Sequence, residues 1–308
     1  ASHILVTHSH LDHSPLAIRI SKDFSIPIYA HGKLEKARSP FMKKLLKSSK
    51  KIGGFEGLDT HFKPHYYLED NQVLLGLNWS IEVVYTPGHL ADHLCFAIKE
   101  KNILFSGDIV MGWTSTLISP PDGDVGQYFN SLDKLLKRCE KTYLPGHGFQ
   151  VEDAKTYVSN LKKHRIEREK QILLLLKISP HNSYQIAEKI YKNQPKSIIY
   201  AGSRNVFAHL INLLERPNPL QAGNEFFQSL YSYLLLSGNS YVLRTGAENQ
   251  EPKELHLLRP DRVKIEPSNT TIPKSYMYEL KGQVVHKYSV DPETGASEIK
   301  HFKLSKNL

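Results

Sequence analysis

Thr7-His8-Ser9-His10-Leu11-Asp12-His13 sets three imidazoles and a carboxylate within six consecutive positions, directly behind the apolar run Ile4-Leu5-Val6. An apolar run that ends in such a loop reads as a strand delivering a metal site. The chain turns there, and neighbouring side chains leave it in different directions. H-x-H-x-D-H can then offer two nitrogens to one ion, and an oxygen with a nitrogen to a second. Imidazole together with carboxylate favours zinc, with manganese or iron as the alternatives. The chain has 16 histidines among 308 residues, so this clustering is not a product of composition.

Two ions need about three or four protein ligands each while keeping room for water, so further ligands are expected downstream. Thr86-Pro87-Gly88-His89 follows the strand-like Ile81 to Tyr85. Ser106-Gly107-Asp108 follows Asn102 to Phe105, and Leu144-Pro145-Gly146-His147-Gly148 follows another short apolar approach. Each reads as a strand, a turn and a ligand, with a glycine beside the ligand where a crowded loop needs close backbone approach. Asp92 and His93, just past the His89 loop, are candidates for orienting the ligands. A surface turn or a satisfied core histidine is the alternative for them.

In this order the motifs resemble the metallo-β-lactamase superfamily of metallohydrolases, over about residues 1 to 214. The resemblance implies that His8, His10 and His89 bind a first metal, that Asp12, His13 and His147 bind a second, and that Asp108 bridges them. Asp12 and Asp108 are then also the candidate catalytic carboxylates. The string from Ser106 to Trp113, followed by Pro120-Pro121-Asp122-Gly123-Asp124, is similar to the branch holding the β-lactamase-like protein 2 and hydroxyacylglutathione hydrolase groups. It lacks the pattern of a true β-lactamase, and no secretory signal is visible. Two zinc ions about 3.5–4 Å apart would lower the pKa of a shared water and present hydroxide to a thioester or other acyl substrate. No serine or cysteine nucleophile is then needed. Cys95 and Cys139 match no ligand spacing and read as reduced, buried thiols. In the resembling family several strands precede the H-x-H-x-D-H loop, which here begins at residue 8. The expectation is therefore an N-terminally truncated αββα sandwich over residues 1–153, with some strand edges uncovered.

Beyond His147, Ala154 to Leu176 has the pattern of a long amphipathic helix. Shorter helical stretches follow near Ser183 to Tyr191 and Arg204 to Leu214. Residues 154–215 thus read as a winged-helix-like helical segment that packs on the hydrolase, with nucleic-acid recognition as the lesser alternative. At Arg216-Pro217-Asn218-Pro219-Leu220-Gln221 the register changes. A helix from Gly223 to Leu236 comes next. Strand-like runs then follow at Tyr241–Arg244, Glu254–Leu258, Val263–Glu266, Tyr276–Leu280, Val284–Tyr288 and Ile299–Leu304. The single histidines in them, His256, His286 and His301, read as structural.

Arg216-Pro217-Asn218-Pro219, Phe226-Phe227, the run from Tyr233 to Tyr241 and the run from Leu255 to Val263 resemble the tailed-phage portal protein family, over about 216 to 304. The resemblance implies an α+β portal wing fragment over 216–308, and the whole chain reads as α+β, a fusion of two unrelated genes. The joined ends lie within 205 to 215. Portal or capsid components are partners only if that part is functional.

The chain carries net charge +9 with a pI near 9.2, which attracts anionic substrates or nucleic acid without specifying either. Lys43, Lys44, Lys47, Lys50 and Lys51 read as a solvated face. No apolar run approaches the ~18 residues needed to span a membrane, and the composition is that of a cytoplasmic bacterial protein. Two classes of function follow. One is a metal-dependent hydrolase of small acyl substrates, with phosphodiester or RNA cleavage as its enzymatic alternative. The other is a phage structural fragment carrying a relic hydrolase.

Overall fold

The computed structural model describes residues 1–48, 52–54, 57–215, 223–246 and 254–304. Lys50, Lys51 and the proline-marked break from Arg216 to Gln221 lie outside the described residues. Contacts divide the chain into two units, Ala1–Asn212 and Leu213–Leu308.

The first unit begins with β1 (Ile4–Leu5), α1 (Pro15–Phe24), β2 (Ile28–Ala30), α2 (Leu34–Ala37), α3 (Pro40–Ser48) and β3 (Tyr66–Tyr67). The three strands form a parallel sheet in the order β1-β2-β3. Parallel strands need a crossover, and α1 supplies the one between β1 and β2. Then come β4 (Val73–Leu75), β5 (Ser80–Tyr85), β6 (Leu94–Ile98), β7 (Ile103–Gly107), α4 (Val125–Leu136) and β8 (Thr142–Pro145). These strands make a five-stranded sheet in sequence order. Its pairings are antiparallel except β7 with β8, which are parallel and joined through α4.

The two sheets face each other across one apolar layer, in which Leu5 and Tyr29 of the first meet Val83, Leu94 and Phe96 of the second. Val6, Ile28 and Ala30 turn the other way and pack with Ala17 of α1. On the far side of the second sheet, Val84, Cys95, Ala97 and Leu104 pack under Tyr128 and Leu132 of α4, together with Val158 and Leu161 of the next helix. The result is helix, sheet, sheet, helix, the layering that two half-buried sheets require.

That next helix is α5 (Ala154–Ile178), followed by α6 (Ser183–Ile190) and α7 (Lys196–Glu215). Asp153 caps α5 by accepting from the Thr156 N–H at 3.2 Å, and Asn182 with Gln185 closes a reciprocal capping box on α6. Helix α7 starts at Lys196 rather than near Arg204, where the sequence pattern places it. Ile172, Ile186 and Val206 join the three helices in one small core, and all of it up to Asn212 belongs to the first unit.

One surface cluster on this unit has a pH signature. Glu82 on β5 accepts from both terminal nitrogens of Arg138 at 3.1 and 3.0 Å and lies 2.7 Å from Lys99. The Arg138 hydrogen bonds hold its carboxyl down at about 2. A depressed carboxylate contributes stability that is fully present above its unfolded pKa, ordinarily about 4.3, and is lost as pH falls through its folded value. Glu82→Gln should therefore lower the urea midpoint at neutral pH. The loss should shrink progressively between about pH 4 and pH 2, and a deficit constant with pH would count against the assignment.

The second unit carries α8 (Gly223–Ser237), β9 (Asn239–Thr245), β10 (Glu254–Leu258), β11 (Val263–Glu266), β12 (Ser275–Leu280), β13 (Gln283–Ser289) and β14 (Ile299–Lys303). Two antiparallel sheets form, β10-β9-β14 and β11-β12-β13. Tyr241, Leu258, Tyr276, Tyr288 and Ile299 share one core, and Phe226 and Leu230 of α8 cover Val242. His301 stacks on Tyr241 and faces Asn239 at 2.8 Å, and His256 sits 2.8 Å from Glu254. Among the described residues, no helix of the chain is long and apolar enough to cross a membrane.

Candidate metal centre

The loops that leave β1, β5, β7 and β8 meet at one end of the two sheets. His8, His10, His89 and Asp108 converge there, and beside them Asp12, His13 and His147; within each group the ligand-type atoms lie within 4.8 Å of one another. All seven side chains singled out in the sequence are thus brought together.

Local interactions explain why the first loop holds its shape. Pro15 opens α1 directly behind it, and Ser14 donates from its hydroxyl to the His10 carbonyl at 3.0 Å and to Asp59 Oδ2 at 2.7 Å. On its other side the Leu11 N–H donates to Gly57 O at 2.8 Å, and the Asp59 N–H to Ser9 O at 2.9 Å. His89 follows Gly88, whose φ of +143° suits glycine and whose missing side chain leaves room for α4; a Cβ there would come within 2.4 Å of the Tyr128 backbone. His147 follows Gly146, where a Cβ would lie 2.5 Å from Asp108 Oδ1 and 2.7 Å from His13. Only hydrogen fits at that point.

Ring nitrogens meet face to face. His8 Nε2 and His89 Nε2 each lie 3.0 Å from His10 Nδ1, and His13 Nε2 lies 3.3 Å from His147 Nε2. His147 Nε2 is 3.0 Å from Asp12 Oδ2 and 3.5 Å from Asp108 Oδ2, and His13 Nε2 is 3.5 Å from Asp108 Oδ1. The proton on His89 can be placed. Its Nδ1 sits 2.8 Å from the Leu117 carbonyl, which can only accept, so Nδ1 carries the hydrogen and Nε2 presents its lone pair inward.

Burial sets the charge states. It pulls His8 well below the ordinary imidazole value, with repulsion from His89 and other histidines adding to the effect; it lowers His10 to about 3, and it also lowers His89. His13 also feels burial, but its contacts with Asp108 and Asp12 outweigh it and raise the ring. Asp108 is pushed up by burial and yet held at about 2 by His13, His89 and His147. His8, His10 and His89, facing one another beside the ionised Asp108, form a set of lone-pair donors. Asp108 Oδ1 is buried with no hydrogen-bond partner among the described residues, an arrangement that costs about 1–3 kcal/mol unless something binds there. The residues present fit divalent metal.

His93 supports the set from behind. Its Nε2 accepts the Asp108 N–H at 3.0 Å and its Nδ1 faces Thr86 Oγ1 at 2.9 Å, so the ring fixes the backbone that carries Asp108. Asp92 is buried, and burial pushes its carboxyl up to about 7. Cys95 is buried, its thiol also pushed up to about 12 by burial, while Cys139 is exposed. The expectation of two buried thiols therefore fails for Cys139, which sits beyond the end of α4, where no core covers it.

Comparison with known proteins places both parts of the chain. The description Metallo-beta-lactamase superfamily matches residues 2–147, and Phage portal protein matches residues 187–308. A beta-lactamase-like protein 2 homolog from Drosophila melanogaster is 31% identical over 169 residues, 54% of this chain and 56% of the relative. An atrochrysone carboxyl ACP thioesterase from Paecilomyces divaricatus is 31% identical over 179 residues, 57% of this chain and 46% of the relative. The chain thus spans about half the length of these curated relatives. Among solved structures, a metallo-beta-lactamase family protein from Thermus thermophilus shares the fold at a TM-score of 0.57 and 20% identity, covering 80% of this chain and 77% of its own.

Proposed function

We propose that the first unit, whose residues 2–147 match the metallo-β-lactamase superfamily, is a metal-dependent hydrolase of acyl thioesters, joined to a part matching the phage portal protein family over residues 187–308. The observation that carries this reading is the convergence of seven metal-ligand side chains in two adjoining groups. In the proposal His8, His10 and His89 hold one ion, Asp12, His13 and His147 a second, and Asp108 lies between. Zinc suits this nitrogen-rich set, with manganese or iron as alternatives. When bound, such a pair supplies an activated water and polarises the carbonyl under attack. The chain's own residues do the rest. His89 keeps its Nε2 lone pair inward through Leu117, His93 fixes the Asp108 backbone, and Asp12 is the exposed carboxylate of the set, placed to take up a proton at Oδ2.

An acyl substrate is supported by what borders the centre. Leu11 is 57% exposed, Trp113 65% and Phe149 81%, and they sit in the segments that carry Asp12, Asp108 and His147 respectively. Gly112 and Gly148 bridge the two later segments, and the Gly112 N–H donates to the His147 carbonyl at 2.8 Å. Large apolar side chains beside a hydrolytic centre suit an acyl or aryl group, and one relative is named as a thioesterase. Among the described residues, no metal-ligand cluster lies in the second unit, so the chemistry is assigned to the first.

The test uses the full chain loaded with zinc and offers thioester, aryl ester and phosphodiester reporters in parallel. Thioester turnover should dominate, vanish on chelation and return with added zinc. Preferential cleavage of the phosphodiester or of RNA would replace this substrate assignment. Trp113→Ala should raise KM about 5–10-fold for a long-chain or aromatic acyl thioester and leave a short-chain one within about twofold, as expected for the loss of one apolar contact. Equal effects on both would remove Trp113 from the acyl site.

A further inference from the structure

We infer that Arg165 and Asn205 are positioning residues of the metal centre, clamping the segment Thr116 to Ile118 whose backbone aims His89. This rests on the metal-binding reading above. Arg165 lies in the middle of α5, is 2% exposed, and has no ion pair to a carboxylate among the described residues. Burying a guanidinium without a counter-charge is expensive, so its two terminal nitrogens take other partners, while its Nε has no hydrogen-bond partner among the described residues. One terminal nitrogen donates to the Thr116 carbonyl, the other donates to Asn205 Oδ1 at 3.2 Å, and the cation lies over the Tyr128 ring, 5.3 Å from its centroid. Asn205, on α7, uses the same Oδ1 to accept the Ile118 N–H at 2.9 Å.

Leu117 is therefore held on both sides, through the carbonyl before it and the amide after it. Its own carbonyl accepts the His89 Nδ1–H at 2.8 Å, and Thr116 Oγ1 lies 2.8 Å from that same nitrogen. A planar fork from one helix and an amide oxygen from another thus fix the group that fixes the ring. Arg204 extends the grip one step along, donating to Ser119 Oγ at 2.9 Å, to the Pro120 carbonyl and to Ile52 O at 2.7 Å. If the clamp is removed, the Leu117 carbonyl is free to swing away. His89 can then rotate, or carry its proton on Nε2, and in either case its inward lone pair is lost.

The helices are thus part of the metal centre although they contribute no ligand. The test measures metal rather than turnover, by competing the full chain for zinc against a chromophoric chelator and by following the visible absorption of the cobalt-loaded protein. Thermal melts of metal-free protein are recorded alongside. Arg165→Met and Asn205→Leu should each weaken zinc binding about 10–100-fold and alter the cobalt spectrum, the range seen when outer groups that orient a ligand are lost. Asn205→Asp keeps both acceptor roles and should stay within about threefold of the parent, whereas Arg165→Lys keeps the charge without the fork and should weaken zinc at least about fivefold. Parental zinc affinity in folded Arg165→Met and Asn205→Leu would overturn the inference. Should those two fail to fold, parental affinity in Arg165→Lys would overturn it instead. A parent chain that takes up no zinc at all is a different result, and it would remove the metal centre itself.

Discussion

Asp108→Ala protein should retain at most one zinc ion per chain, against about two in the parent, and should hydrolyse thioesters more than ~10³-fold more slowly, because the carboxylate that the proposal sets between the two ions is gone. The fold should survive. Asp108 contributes no hydrogen bond through its buried Oδ1, and its backbone remains held by His93. Elemental analysis of gel-filtered protein with matched circular dichroism decides the matter, and two ions per chain in the variant would exclude Asp108 from the centre.

Gly146→Ala should be nearly as damaging while replacing no ligand. The added methyl would sit 2.5 Å from Asp108 Oδ1 and 2.7 Å from His13 Cε1, well inside contact distance, so both side chains must move apart. Alanine suits the Gly146 backbone, which is not among the positive-φ positions, so the damage should fall on the site rather than on the chain path. Zinc bound through Asp12, His13 and His147 should be lost or weakened more than ~100-fold. The first ion, held largely by His8, His10 and His89, should remain. Equal loss of both ions would show that the groups cannot be filled separately.

Why these residues were legible while others were not is a matter of spacing. His8, His10, Asp12 and His13 lie in one loop, and His89, Asp108 and His147 each follow a strand with a glycine directly before the ligand. Strands of five or more residues in the second unit, such as Glu254–Leu258, show their pattern directly. In the first sheet only β1 shows itself, as the apolar run before the His8 loop; β2 is three residues long and β3 two, too short for any alternation to register. The early start of α7 was masked by Gly202, a poor helix former. Its reason is tertiary, for a Cβ there would come within 2.4 Å of the Tyr191 ring. Arg165, Thr116 and Asn205 carry no motif at all. Arg165 stands 49 residues from Thr116 and 40 from Asn205, and nothing local marks either pairing.

The convergence of four loops from two facing sheets also bears on how the folded protein persists. An ion gripped by His8 and His89, or by His13 and His147, fastens positions far apart in the chain, as a clip closing a long loop does. By mass action, free metal at a hundredfold excess over its dissociation constant adds about 2.7 kcal/mol to the folded state, a large share of the typical stability of a domain. On the proposed metal-binding reading, the stability of the first unit would follow the metal supply around it, and a chelating buffer would act on it as a mild denaturant.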